Sequence, residues 1–516
     1  MNTETPPILP HTPAPVSRPR KWLKRLGWAF VWIVTLAVLA IAVENHLGAR
    51  AWQAAVAEVR AAGEPTEPAQ MIPPPATDAE NFAAIPLFKP LFDYDPVPPG
   101  KSNVLTSPHW RDPEGKARVE ALKLPSAREP GNFRRGQFVD LTVWQRALEK
   151  TDEPGTPAAA VLGALRKFDP ELDALREAAK RPRSRFSVRY EDHVAAALPH
   201  ISVILNFTRI ATLRAVAELA EGDVEAAHGD LLLCLALEEA PREEPLLISP
   251  LVRAASLETL LQPLWEGLVR RQWTDAQLAS LDAALQRPDF VASFQASIRG
   301  ERLIFCTQAL DAIKKDPALL TAMTAMDGGA NRPWSVRAIG WLVPGGWIDF
   351  NKAALSRGYL DLAHAADPQL HRFFPGQMDR IDQDFVREVA GHRYNPRRAI
   401  ASLVFPAVST AGQRFASTQA SIDLARTAIA LERYRLAHGA WPASLSVLPA
   451  LPTDVIGGAP LHYRLEQDGT FTLYSIGWNE RDDGGVTAWK AGTSPAVNWK
   501  EGDWVWPAYP RPELVK

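Results

Sequence analysis

Residues 213–237 read LRAVAELAEGDVEAAHGDLLLCLAL, and this stretch decides the fold of the greater part of the chain. Apolar and small residues recur at three- and four-residue intervals on both sides of Gly222-Asp223, the period of a helix rather than of a strand. Gly222 breaks the first helix, and Asp223 is placed to accept the first unpaired backbone N–H groups of the second. Outward from this point the pattern predicts helices near 190–197, 201–220, 224–238, 250–270 and 275–286. Ser249-Pro250 starts one of them. Thr274 and Gln277 form a capping box ahead of Leu278, Leu281 and Leu285 on one face. Each amphipathic helix must bury its stripe against neighbours, so residues 135–411 are expected to form a body of antiparallel helical hairpins.

The same period continues on both sides. Helices are expected over FVDLTVWQRALEK, with Asp140 or Thr142 as cap, and over TPAAAVLGALRKF, with Thr156 as cap and Pro157 in the first turn. Others follow near 291–313, 351–366, 377–390, 397–408 and 412–438. The apolar run from Ile339 to Val343 is ended too soon by Pro344-Gly345-Gly346 to form a second membrane span. The body resembles tetratricopeptide-type helical hairpins through LRAVAELAEGDVEAAHGDLLLCLAL, a likeness of some forty residues that implies a scaffold surface; no clear 34-residue repeat accompanies it.

The N-terminus follows different rules. Residues 1–25 form a proline-rich tail closed by Arg18, Arg20, Lys21, Lys24 and Arg25, and are expected to be cytoplasmic. Residues 26–43 carry no charge, and at about 1.5 Å per residue they extend roughly 27 Å, close to the thickness of a hydrocarbon core. Basic residues on the upstream side place the N-terminus inside and the bulk outside. Two other readings compete: a buried globular helix, and a signal peptide cleaved after Ala42. The basic flank opposes the first, and the continuing helix through ENHLGARAWQAAVAEVRAAG opposes the second. Residues 44–134 combine that juxtamembrane helix with a proline-rich arm: a polyproline-like spacer over 64–80, then Phe82, Ile85, Leu87, Phe88, Leu91 and Phe92 lying extended against the body.

Beyond Gly439 the period changes to two. PLHYRLEQDGTFTLYSIGW predicts two strands around Asp468-Gly469, followed by the loop Asn479-Glu480-Arg481-Asp482-Asp483-Gly484-Gly485. Residues 412–516 are therefore expected to be a small α+β module. Its sequence of long helix, Trp441-Pro442-Ala443-Ser444-Leu445, proline-rich link, hairpin and Asp/Gly loop resembles the soluble domain of type II secretion major pseudopilins over roughly 415–488. Two departures stand out: the candidate membrane helix lies nearly 400 residues upstream, and Asp454-Val455-Ile456-Gly457-Gly458 replaces the family's usual link. The whole chain also looks like large membrane-anchored bacterial proteins carrying such a unit. The pseudopilin resemblance implies calcium as a cofactor, held by Asn479, Asp482 and Asp483 with carbonyls near Glu480 and Gly484; calcium requires six to eight oxygens. A solvated turn is the competing reading.

Composition narrows the function. The chain is 46% hydrophobic and 22% charged with a net charge of -2, and no basic stripe follows the first 25 residues, so no nucleic-acid partner is expected. Cys234 and Cys306 are the only cysteines, and pairing and separate burial both fit the sequence. Asp379, Asp382 and Asp384 read as a solvated helix start, Asp192, His193 and His200 as ordinary surface and core residues, and Glu238, Glu239, Glu243 and Glu244 as an exposed turn. No nucleophile elbow, phosphate loop, dinucleotide fingerprint or zincin motif occurs. The resulting expectation is a mainly α, single-pass protein of a bacterial inner membrane. Its cytoplasmic tail is short and its bulk periplasmic, with contacts to lipid through 26–43 and to other envelope proteins. It would serve as a scaffold or interaction component, associated with a secretion or pilus-like apparatus; an unrecognised extracytoplasmic hydrolase is the alternative.

Overall fold

The computed structural model describes residues 19–95, 109–125, 131–148, 155–315, 343–390, 395–492 and 496–507. The first helix, α1 (Pro19–Ala61), runs without interruption for 43 residues. Its first half is bare: Trp28, Phe30 and Leu39 are 68%, 67% and 58% exposed, because nothing else in the described chain packs on them. Among the described residues this is the one helix long and apolar enough to cross a membrane. Gly63, at φ +72°, carries the chain out of the helix.

Short elements follow: α2 (Lys89–Phe92), β1 (Tyr94–Asp95), β2 (His109–Trp110), α3 (Pro113–Ala121), α4 (Leu141–Ala147), α5 (Pro157–Leu165) and α6 (Asp169–Ala178). Asp140 caps α4 and Thr156 caps α5 through side-chain acceptance of backbone N–H groups. The arm packs as its aromatics require, with Phe82, Phe88 and Leu91 buried beside Phe186. The prolines before it are tied down as well: Arg185 Nε donates to the Pro73 carbonyl at 3.2 Å. The expected spacer is thus fastened to the body, because the Pro73 and Pro74 carbonyls, which have no partner within a polyproline strand, accept from Arg185 and Arg183 in the loop after α6.

The body consists of α7 (Pro199–Glu221), α8 (Val224–Glu239), α9 (Ile248–Val269), α10 (Asp275–Leu285), α11 (Phe290–Gly300) and α12 (Gln308–Lys315), with a wide π turn over Glu301–Thr307 joining the last two. The hairpin at the centre forms as its residues dictate: Gly222 adopts φ +83°, and the Asp223 side chain accepts from Ala226 N at 3.1 Å. The Thr274–Gln277 capping box is present. After α13 (Gly345–Ala363), the antiparallel pair β3 (Ala366–Asp367) and β4 (Arg372–Phe373), α14 (Pro375–Ala390) and α15 (Ala399–Ser409), the long α16 (Ala411–His438) threads through the molecule. It packs on α9, α10 and α11 and also backs the C-terminal strands, and Ile422, Ala425, Ile429 and Leu431 along it are all buried.

The remaining strands are β5 (His462–Leu465), β6 (Phe471–Ser475), β7 (Thr487–Trp489), β8 (Val497–Gly502) and β9 (Trp504–Val505). They form an antiparallel sheet in the order β5-β6-β9 and a separate β7-β8 pair. Leu465 pairs with Phe471, and Glu466 N donates to the Thr470 carbonyl at 2.8 Å. The hairpin loop is therefore three residues rather than a two-residue Asp-Gly turn, with Gly469 at φ +78° as its left-handed closing position.

The long apolar helix does not swing free. α1 and α13 run parallel and cross where Gly48 meets Gly346: a Cβ on Gly48 would stand 2.3 Å from the Gly346 carbonyl oxygen. Asn45 Oδ1 accepts Gly346 N at 2.8 Å, and the Trp347 indole donates to Glu44 at 3.0 Å. Further along, Lys352 Nζ lies 4.1 Å from the centre of the Trp52 ring, and Arg357 forms a two-point pair with Glu58 at 2.6 and 2.8 Å. At the end of α1, Arg299 grips Glu64 with two bonds of 2.7 Å. Burial works against the charged form of Glu64, but Arg299 and Arg302 outweigh it and hold the carboxyl below its ordinary range.

Candidate functional site

A short turn carries an extended polar arrangement. The Asn132 side chain accepts Arg134 N at 3.0 Å, which winds Phe133–Arg135 into one 3-10 turn ended by Gly136 at φ +65°. That turn aims Arg134 across α9 onto Glu258, with one bond from Nε and another from Nη2 at 2.7 Å, and onto Ser421 Oγ of α16 at 2.6 Å. The guanidinium lies over the Trp499 ring, 4.6 Å from its centre. One turn along α9, Gln262 accepts Phe133 N at 2.6 Å and donates to the Gln137 carbonyl at 3.0 Å. Another turn along, Glu266 accepts Val139 N at 2.9 Å, and burial pushes its carboxyl above the ordinary range. On the other side, Asn206 of α7 accepts Leu124 N at 3.2 Å.

Between this strap, α7 and α9 lies a cavity of about 650 Å³, a size suited to a small ligand or a few residues of peptide. Leu124, Phe133, Val139, Trp144, Leu213 and Val216 make its apolar wall. Glu258 is the one carboxylate in its described lining. Burial opposes that charge, but Arg134, reinforced by Arg414, keeps the carboxyl below its usual range and so ionised. Arg209 and Arg414 add two cations that no second carboxylate in the described lining offsets. Proton transfer or nucleophilic attack needs a group free to act. The described lining contains no His, Cys, Asp, Lys, Ser or Tyr; of its two threonine hydroxyls, that of Thr259 donates to the Ala255 carbonyl at 2.9 Å and that of Thr212 lies 3.7 Å from Cys234 Sγ.

The residues singled out in the sequence fall elsewhere. In the loop after β6, Asn479 Nδ2 donates to Asp483 at 2.8 Å. Asp482 Oδ1 accepts the Tyr474 hydroxyl at 3.0 Å and Gly484 N at 2.9 Å, and Glu480, at φ +56°, reaches back to accept Gly376 N at 3.2 Å. The Tyr474 hydroxyl is pushed up to about 12 by burial, helped by Asp482. Asp503, absent from the sequence reading, organises the same loop: its two oxygens accept Asp483 N at 3.2 Å and Gly485 N at 2.7 Å. Among the described residues no group of three or more His, Cys, Asp or Glu side chains is placed to hold a metal ion.

Asp379, Asp382 and Asp384 do not converge: Asp379 accepts the Trp478 indole at 3.3 Å, and Asp384 pairs with Arg387. Asp192 pairs with Arg189 at 3.0 Å, and the His193 side chain lies outside the described residues. His200 is fully buried, stacked 4.1 Å from Phe186, with Nε2 2.8 Å from Glu244. The glutamate run is not an exposed turn. Glu238 is completely buried because α8 continues through it and Arg253, itself 1% exposed, supplies a counter-charge from α9 at 2.8 Å. Burial pushes its carboxyl up to about 8. Cys234 and Cys306 are both free and buried, so the pairing alternative falls away.

No known protein family, characterised protein or solved structure matches this chain.

Proposed function

We propose that this chain is a membrane-anchored, extracytoplasmic binding component that holds an acidic, apolar-sided segment of another envelope protein. The observation that carries the reading is the cleft beside Arg134: apolar walls, a cation surplus from Arg209 and Arg414, and a single carboxylate already committed to Arg134. The absence of a free nucleophile or proton carrier in the described lining favours binding over the hydrolase alternative. The uncharged run 26–43 after Arg18–Arg25 supports a cytoplasmic N-terminus in a bacterial inner membrane. The resemblance of residues 415–488 to pseudopilin soluble domains supports a place beside a secretion or pilus-like apparatus. Calcium belongs to the same proposal: the adjacent carboxylates Asp482 and Asp483 bring two negative charges to one loop, and an ion held there would compete with His462 Nδ1, which lies 3.4 Å from Asp482 Oδ2.

The test uses full-length protein in detergent and fluorescence anisotropy of two labelled peptides, Asp-Phe-Leu-Asp and its uncharged counterpart Asn-Phe-Leu-Asn. The acidic peptide should bind at least about tenfold more tightly, as charge-assisted bonds to two guanidinium groups require. R209Q/R414Q should abolish the difference. Equal affinity for the two peptides, or no binding of either, would overturn the reading. Reporter fusions after residue 60 test the topology; activity of a cytoplasm-only reporter there would reverse it.

A further inference from the structure

Glu44 is the first charged residue after the uncharged run, so it marks the level at which α1 leaves the hydrocarbon. The structure ties a specific set of residues to that level. Trp347 donates to Glu44 at 3.0 Å, Arg397 Nε donates to the same carboxylate at 2.9 Å, and Asn45 accepts Gly346 N at 2.8 Å. Lys314, at the end of α12, reaches Asp349 of α13 at 2.6 Å. Because α13 runs parallel to α1, these groups stand around the exit point rather than farther out.

The charge of this ring is not balanced. Arg397 and Lys314 are answered by Glu44 and Asp349. Arg50 and Lys315 are exposed and pair with no carboxylate among the described residues. Arg50 lies six positions beyond Glu44, about 9 Å along the helix, within reach of the headgroup layer for a side chain that can extend back toward it. Trp347, half-buried with its indole N–H committed to Glu44, is the residue type that settles at a membrane–water boundary.

We propose that this collar, formed by Arg50, Lys314, Lys315, Trp347 and Arg397 around the exit of α1, rests on anionic phospholipid headgroups. The occupant follows from two features: surplus positive charge, and continuity with the segment that enters the bilayer. The inference depends on residues 26–43 spanning the membrane. Lipid phosphates of the adjacent leaflet complement Arg50 and Lys315, and their contact fixes the tilt of a body already clamped to α1.

The test places full-length protein in nanodiscs of phosphatidylcholine alone and of phosphatidylcholine with about a third phosphatidylglycerol, at a salt concentration where the Debye length is about 10 Å. A donor dye is attached through Ala399→Cys, an exposed position two residues from Arg397; the native Cys234 and Cys306 are buried and do not compete for the label. Energy transfer to a headgroup-labelled acceptor lipid reports how closely the collar sits on the leaflet. Transfer should be higher in the anionic discs, and should fall to the phosphatidylcholine level in about 1 M salt, where the Debye length is about 3 Å, and in R50Q/K315Q. Equal transfer in both discs would overturn the proposal, as would an anionic-lipid effect that survives in R50Q/K315Q. A chain that enters neither disc would instead overturn the membrane-spanning reading, and the collar with it.

Discussion

Gly48→Ala tests whether α1 and the body are locked together. In an exposed helix interior, replacing glycine by alanine stabilises by about 1 kcal/mol. At Gly48 the added Cβ would meet three backbone atoms of Gly346 at 2.3, 2.5 and 2.7 Å. Backbone cannot rotate away as a side chain can, so α1 and α13 must separate by about 1 Å to restore ordinary contact, and overpacking of this kind costs about 1–3 kcal/mol. Separation also loosens Asn45–Gly346 at 2.8 Å and Trp347–Glu44 at 3.0 Å. The net expectation is a loss of about 1–2 kcal/mol, opposite in sign to the propensity gain. The control is Gly229→Ala, in the middle of α8, where an added Cβ meets nothing within 4 Å and stability should rise. Denaturant unfolding of full-length protein in detergent reads both variants. If Gly48→Ala stabilises as Gly229→Ala does, the tight crossing does not exist and α1 is not clamped.

Three further outcomes follow from the buried charges and the C-terminal loop. Burial pushes the Glu301 carboxyl up to about 7, although it accepts Leu247 N at 2.9 Å. The folded state therefore holds a proton that the unfolded state has released, so stability should fall as pH rises from about 4.5 to 7 and level off above, by roughly 3 kcal/mol at most; Glu301→Gln should flatten that slope in urea titrations across the range. Arg134→Ala should cost about 3 kcal/mol by stranding Glu258, whereas Arg134→Met with Glu258→Met should cost clearly less, as a double-mutant cycle on unfolding will show. Millimolar calcium should raise the melting temperature of metal-free full-length protein and leave D482A/D483A unmoved; an unchanged wild-type melt would mean the loop is closed by its own hydrogen bonds alone.

Local rules made much of the fold legible in the sequence. Gly222-Asp223, Thr274 with Gln277, Thr156-Pro157 and Asp140 each specify a helix end through groups only a few residues apart, and each forms as expected. The Asp468-Gly469 hairpin was likewise legible, though its loop length depends on the pairing of Leu465 with Phe471. The cleft was not. Arg134 and Glu258 are 124 positions apart, Arg134 and Ser421 are 287 apart, and none of these residues stands in a motif. The glutamate run was misleading for the same reason: four carboxylates in seven residues look solvated until Arg253, from another helix, buries one of them.

The unbroken course of α1 has a mechanical consequence. The helix extends from Val43 to Ala61, roughly 27 Å at 1.5 Å per residue, with no proline in that stretch and with its one glycine, Gly48, packed against Gly346. A helix that tilts to match bilayer thickness would then act as a lever arm. A change of about 10° at the membrane would carry its far end, where Glu64 is held by Arg299, sideways by about 5 Å. The body would move with it as one piece, turning the thickness of the surrounding lipid into the direction in which the cleft faces.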